Sequence, residues 1–169
     1  MKTGNFARNL WILLLVFANI GCDQVSKTIV RDRIEYNANI EVIQDFITLT
    51  KVENTGAFLS LGSEMPRIGY KILMIILPLI ILTYVLFYLL KSNTPTDLTR
   101  MAIALMLGGG IGNLLDRMLY GSVTDFLHFD FGLFQTGIVN MADISITVGF
   151  LMMIFELLFK KPPAKFISQ

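Results

Sequence analysis

The stretch ILMIILPLIILTYVLFYLL, residues 72–90, decides the fold. It holds no charged residue over 19 positions and is bracketed by Lys71 and Lys91. At about 1.5 Å per residue it suits the hydrocarbon core of a bilayer. Pro78 is tolerable inside it, because neighbouring helices can re-satisfy the carbonyl that a proline frees.

Working outward, residues 101–115 form a second apolar run, softened by Gly108, Gly109, Gly110 and Gly112. Residues 144–159 form another, interrupted only by Glu156. The opening stretch from Leu10 to about Val25 is the last. The chain is 54% hydrophobic and 16% charged, against about 25% charge in a soluble domain. The fold class expected is therefore an all-α polytopic membrane protein, one integral domain over 1–169. Its transmembrane helices fall at about 8–27, 70–91, 99–118 and 139–160. A net charge of +1 argues against a nucleic-acid partner, and one cysteine allows no internal disulfide.

Basic residues orient the chain. Lys2 and Arg8 precede the first span, Lys91 and Arg100 flank the loop between the second and third, and Lys160, Lys161 and Lys165 follow the fourth. All fall on one side, taken as cytoplasmic, so both termini are cytoplasmic. The connection 120–137 on the other side has no Lys or Arg. Segment 32–68 lies on that extracytoplasmic side and is β-rich, with short strands expected within 37–61. The six basic residues between Lys27 and Lys71 run against this orientation but belong to a long segment. The aromatic run 126–134, in the loop between helices three and four, reads as an interfacial piece.

Up-and-down threading gathers Asp23, Asn54, Asn113, Asp116, Arg117, Asp125, Asn140 and Asp143 into the extracytoplasmic leaflet. Ionisable groups at membrane depth are costly and usually face a cavity. Two aspartates close together in a desolvated cleft share one proton, which leaves a general base and a general acid. Asp125 and Asp143 are that pair. The blander reading has each cap a helix or pair with Arg117. Asp116 next to Arg117 reads equally as an ion pair steadying the helix end. Glu156 reads as snorkelling or paired with the basic tail, and the glycines as close helix packing. No His/Cys cluster offers a zinc site. Ile20-Gly21-Cys22 looks like a lipoprotein cleavage box, but Asn19 stands where such a box prefers Leu, so Cys22 reads as an ordinary helix residue. A proton-coupled carrier would need polar groups through the whole bilayer depth, and residues 72–90 have almost none.

Five pieces occur in order: Asp23-Gln24-Val25-Ser26-Lys27; Asn54-Thr55-Gly56-Ala57-Phe58; Gly109 through Arg117; Val123-Thr124-Asp125-Phe126; and Asn140-Met141-Ala142-Asp143 followed by Ile146-Thr147-Val148-Gly149. Together they resemble the bacterial lipoprotein signal peptidase family, signal peptidase II. The resemblance implies an inner-membrane aspartic endopeptidase that removes signal peptides from prolipoproteins, cutting before the diacylglyceryl-modified cysteine. It puts the catalytic dyad on Asp125 and Asp143. It puts substrate-binding or supporting roles on Asp23, Asn54, Gly56, Asn113, Asp116, Arg117 and Asn140. It also implies no metal or organic cofactor, membrane lipid as a partner, inhibition by globomycin, and action as a monomer.

Overall fold

A computed structural model describes residues 3–56 and 66–159. Ala57 and Phe58 of the second motif, and Lys2, Lys160, Lys161 and Lys165, lie outside the described residues. Helix α1 covers Thr3–Arg33; strands β1 (Ile40–Ile43) and β2 (Ile47–Asn54) follow. Helix α2 (Arg67–Tyr70) runs through a π-helical stretch (Lys71–Ile76) into α3 (Leu77–Lys91). Then come α4 (Asp97–Leu119), β3 (Val123–Phe129) and α5 (Met141–Phe159). Four helical rods, Asn5–Arg33, Arg67–Lys91, Asp97–Leu119 and Met141–Phe159, are long and apolar enough to cross a membrane.

α4 is the most buried of the four and packs against α1, α3 and α5. Its glycines allow this. A Cβ on Gly109 would stand 2.4 Å from the carbonyl oxygen of Ala142 on α5, and one on Gly112 would stand 2.5 Å from Asp23 Oδ2 on α1. Ile12, Val16, Leu89, Ala104 and Leu107 form an apolar core away from the sheet. Leu14 and Phe17 on α1, Ile80 and Tyr84 on α3, and Leu157 on α5 face outward, as expected of surfaces solvated by lipid. Cys22 also faces outward, and α1 continues unbroken through it.

α1 runs six residues past its expected end at residue 27. Lys27 and Arg31 are paired inside the bundle, so their charges do not stop the helix. Lys51 likewise donates to the carbonyls of Arg31 and Ile34. Half of the six basic residues that ran against the orientation are thus taken up internally. The π-helical stretch ends just before Pro78. That proline has no N–H for the carbonyl of Met74 and its ring crowds it, which a wider turn relieves.

The three strands form an antiparallel sheet in the order β1-β2-β3. Two strands come from the segment expected to supply them. The third, β3, comes from the connection after α4, where an interfacial piece had been expected; Phe131, Leu133 and Phe134 beyond it remain exposed. Along β2 and β3 the register is Ile47↔Phe129 to Leu49↔Leu127, then Val52↔Asp125 to Asn54↔Val123, with a bulge between. The bulge matters because side chains alternate faces along a strand. Continuing the first register would set Asp125 opposite Lys51 and leave Asn54 on the other face. The one-residue shift puts Asn54 and Asp125 on the same face.

At the opposite end of the bundle Glu156 accepts hydrogen bonds from Thr96 Oγ1 at 2.6 Å and from Thr99 Oγ1. These hydroxyls tie the start of α4 to the end of α5, a partnership not foreseen for Glu156.

Candidate active site

The site forms where the sheet meets α1, α4 and α5. Asn140 immediately precedes α5 and caps it: its Oδ1 accepts from the backbone N–H of Asp143 at 3.0 Å. Asp143 returns the bond, its Oδ2 accepting from the Asn140 N–H at 3.2 Å. This reciprocal box satisfies two helix-end donors. The capping reading of Asp143 therefore holds, and yet Asp143 also lines the cleft. Capping and exposure to a substrate are compatible, because the box uses one carboxylate oxygen.

Asp125 sits on β3 and is 4% exposed. Its Oδ1 accepts from Asn140 Nδ2 at 2.6 Å and its Oδ2 from Asn54 Nδ2 at 3.0 Å. Asn54 is itself held by the Gly56 N–H, which donates to its Oδ1 at 3.0 Å. Asp143 Oδ1 accepts from Asn113 Nδ2 at 2.9 Å. So each of the four carboxylate oxygens receives an amide N–H. Burial raises the Asp125 carboxyl from 3.8 to about 6. The hydrogen bond from Asn54 opposes this, the charge of Asp143 adds to it, and the hydrogen bond from Asn140 and the Lys27 charge oppose it.

Beneath the pair lies a charge-balanced cluster. Lys27 Nζ is 2.8 Å from Asp23 Oδ2 and 3.0 Å from Asp116 Oδ2, with all three side chains fully buried. Arg31 reaches Asp116 Oδ1 at 3.0 Å. Asp23 Oδ1 also accepts the Ala142 N–H at 2.9 Å, fixing α1 against the start of α5. The Asp116–Arg117 ion pair, one of the two readings of the sequence, is replaced by these contacts. Adjacent helix residues point about 100° apart, so Asp116 faces α1 while Arg117 donates to the carbonyl of Gly56 at 2.8 Å.

The cleft above encloses about 370 Å³ and is lined by Asn54, Asn113, Arg117, Asp125 and Asp143. Leu73, Met74 and Pro78 form one apolar wall, and Val139, Ile146 and Thr147 another. Every site residue anticipated from sequence belongs to this cleft or to the network below it. Spacing alone left Lys27, Arg31 and Thr124, whose hydroxyl accepts from Arg31 Nε at 2.8 Å, without a role. A signal for two of them was present: Asn19, Asp23, Lys27 and Arg31 recur every four residues on one face of α1. Among the described residues no group of His, Cys, Asp and Glu is arranged to hold a metal ion.

Known proteins are similar to this chain over nearly its whole length. A family model described as "Signal peptidase (SPase) II" matches residues 15–159. A lipoprotein signal peptidase of Psychromonas ingrahamii is 36% identical, over 96% of this chain and 90% of its own. One of Burkholderia vietnamiensis is 37% identical, over 91% of this chain and 89% of its own. Among solved structures, a bacterial membrane enzyme determined by the in meso method at 2.3 Å resolution superposes with a TM-score of 0.81 at 28% identity, covering 94% of this chain and 93% of that one. With the family model matching residues 15–159 and relatives of 36% and 37% identity covering most of its length, the chain belongs to the signal peptidase II family.

Proposed function

We propose that this protein is an aspartic endopeptidase of the bacterial inner membrane. It removes signal peptides from prolipoproteins, cutting before the diacylglyceryl-modified cysteine. The observation that carries the reading is the pair of carboxylates, a buried Asp125 and a partly exposed Asp143, on opposite elements of one cleft and joined through Asn140. Family membership supports the substrate class.

The chemistry follows from the two environments. Asp125, whose carboxyl burial raises to about 6, is assigned the role of the acid in the pair. An apolar substrate expels water from the cleft and pushes it further the same way. Asp143 takes a proton from a water molecule, whose oxygen attacks the scissile carbonyl carbon. Asp125 gives its proton to the carbonyl oxygen, so the tetrahedral intermediate is a neutral gem-diol. Proton return to the leaving amine and cleavage of the C–N bond complete the step. Asn54, Asn113 and Asn140 hold the carboxylates in place throughout. Arg117, held by the carbonyl of Gly56, lines the cleft where the peptide lies, and Asp23 and Asp116 support the floor.

The apolar walls suit a signal peptide, while the diacylglyceryl chains remain in the extracytoplasmic leaflet. Burial of acyl chains contributes about 0.8 kcal/mol per CH₂, so lipidated substrate should be strongly preferred. Globomycin should occupy the same cleft and block it, and no metal or organic cofactor takes part.

The test is turnover of a diacylglyceryl-modified prolipoprotein by purified protein in detergent. Wild type should release the signal-peptide fragment. Asp125→Asn and Asp143→Asn should each abolish release, and the double variant should be scarcely worse than either single, as for groups that act as a unit. A single variant that kept more than about a tenth of the activity, a barrier change below about 1.4 kcal/mol, would remove that aspartate from the chemistry. Comparable turnover of unlipidated substrate would refute the lipid requirement.

A further inference from the structure

Three asparagines supply the dyad with N–H donors, and an amide can be turned either way. At Asn54 and Asn140 a backbone N–H settles the orientation. The Gly56 and Asp143 N–H groups can only donate, so each amide oxygen faces them and each NH₂ faces Asp125. At Asn113 the same task falls to a side chain. Lys27 Nζ donates to Asn113 Oδ1 at 2.8 Å, and Asn113 Nδ2 then donates to Asp143 Oδ1 at 2.9 Å.

An ammonium group has three protons and no acceptor. Lys27 directs one to Asp23 Oδ2 at 2.8 Å, one to Asp116 Oδ2 at 3.0 Å and one to Asn113 Oδ1. With all three spoken for, its rotation is fixed. Lys27 is fully buried and does not line the cleft. An ion pair serving stability alone would need only the two aspartates.

We propose that Lys27 is a positioning residue for the dyad: aimed by Asp23 and Asp116, its ammonium fixes the Asn113 amide so that Asp143 always meets an N–H donor and never the amide oxygen. This rests on the reading of Asp125 and Asp143 as the catalytic pair. Without the ammonium the Asn113 amide is free to turn. Its oxygen would then face Asp143, repelling the carboxylate from the geometry in which it takes the proton from water.

The experiment is a double-mutant cycle on lipidated prolipoprotein cleavage, with thermal stability measured on the same samples. Lys27→Met should lower kcat roughly 10- to 100-fold, the scale seen when the outer partner of a functional group is removed. KM should barely change, because Lys27 does not reach the cleft. Added to Asn113→Ala, Lys27→Met should cost little more, since its route to Asp143 is already gone. Lys27→Met alone leaves two buried aspartates short of a cation, so the charge-balanced Asp23→Asn/Lys27→Met variant accompanies it. That variant should fold and be as slow as Lys27→Met. The proposal is overturned if the charge-balanced variant has wild-type kcat, if the Lys27 and Asn113 losses multiply, or if neither Lys27 variant folds, which would make Lys27 a stability residue alone. Asp125→Asn and Asp143→Asn run alongside separate the two readings. If they stay active the dyad fails; if they are inactive and the cycle is additive, only the role of Lys27 fails.

Discussion

Asn140 Nδ2 donates to Asp125 Oδ1 at 2.6 Å, a bond that joins the start of a membrane helix to the third strand of the sheet. The same residue caps α5 with its Oδ1. One side chain therefore sets both the helix end that carries Asp143 and the position of Asp125 relative to it.

These two tasks can be separated. Asn140→Ser keeps a capping oxygen but has no amide to reach Asp125. Its stability should stay close to wild type while cleavage falls at least about tenfold. Asn140→Ala loses the cap as well and should unfold about 1 kcal/mol more easily. Thermal unfolding and turnover of the two variants check this. Full activity in Asn140→Ser would show that the bridge to Asp125 is dispensable.

The raised Asp125 carboxyl makes stability depend on pH. The folded protein holds this proton where the unfolded chain has lost it, between 3.8 and about 6. Unfolding then releases a proton, so this group's contribution declines as pH rises through that window, by roughly 3 kcal/mol at most. Asp125→Asn removes the slope and leaves a constant offset. Unfolding midpoints from about pH 4 to 7 should therefore shift in favour of the variant as pH rises. A difference that is flat over that range would contradict the assignment.

Activity carries the same signature. If Asp125 is the acid, the basic limb of kcat/KM should show an apparent pKa of the pair near 6. Asn54 donates to the charged form of Asp125, so Asn54→Ala should move this limb to higher pH. Movement to lower pH would count against the acid assignment.

The glycines of α4 are not equivalent to glycines elsewhere. Gly109→Ala would drive a methyl into the Ala142 carbonyl, and Gly112→Ala into Asp23, which is already held by Lys27 and the Ala142 N–H. Each should cost about 1–3 kcal/mol of stability. Gly21 on α1 has nothing within 4 Å of an added Cβ. Gly21→Ala should be neutral or stabilising by up to about 1 kcal/mol. Unfolding temperatures in detergent rank the three, and equal effects would mean that α4 packs less closely than described.

Four helices long and apolar enough to cross a membrane, with the basic residues read as flanking the cytoplasmic side, lead us to propose that both termini are cytoplasmic. A reporter fused after Gln169 should work only if its activity is cytoplasmic. Signal from a strictly extracytoplasmic reporter would invert the topology and place the cleft in the other leaflet.

The sequence by itself determined the four spans, because an uncharged apolar stretch such as residues 72–90 is a property of consecutive residues and needs no partner. It determined which end of the bundle gathers the polar groups, because alternating spans leave no other threading. The Asn140-x-x-Asp143 box is equally local, although the sequence reads only as offering a helix cap at Asp143. Tertiary structure decided the rest. Whether Asp116 meets Arg117 or Lys27 depends on how α4 is rotated against α1, and the glycines that permit the close approach show only that helices touch, not at which angle. Whether Asn54 reaches Asp125 depends on a one-residue bulge between Leu49 and Val52 opposite a strand roughly 70 residues away in the chain, since register alternates side-chain faces with a period of two. The placement of Lys27 depended on the first of these alone, because its three protons find acceptors only once α1 and α4 are packed.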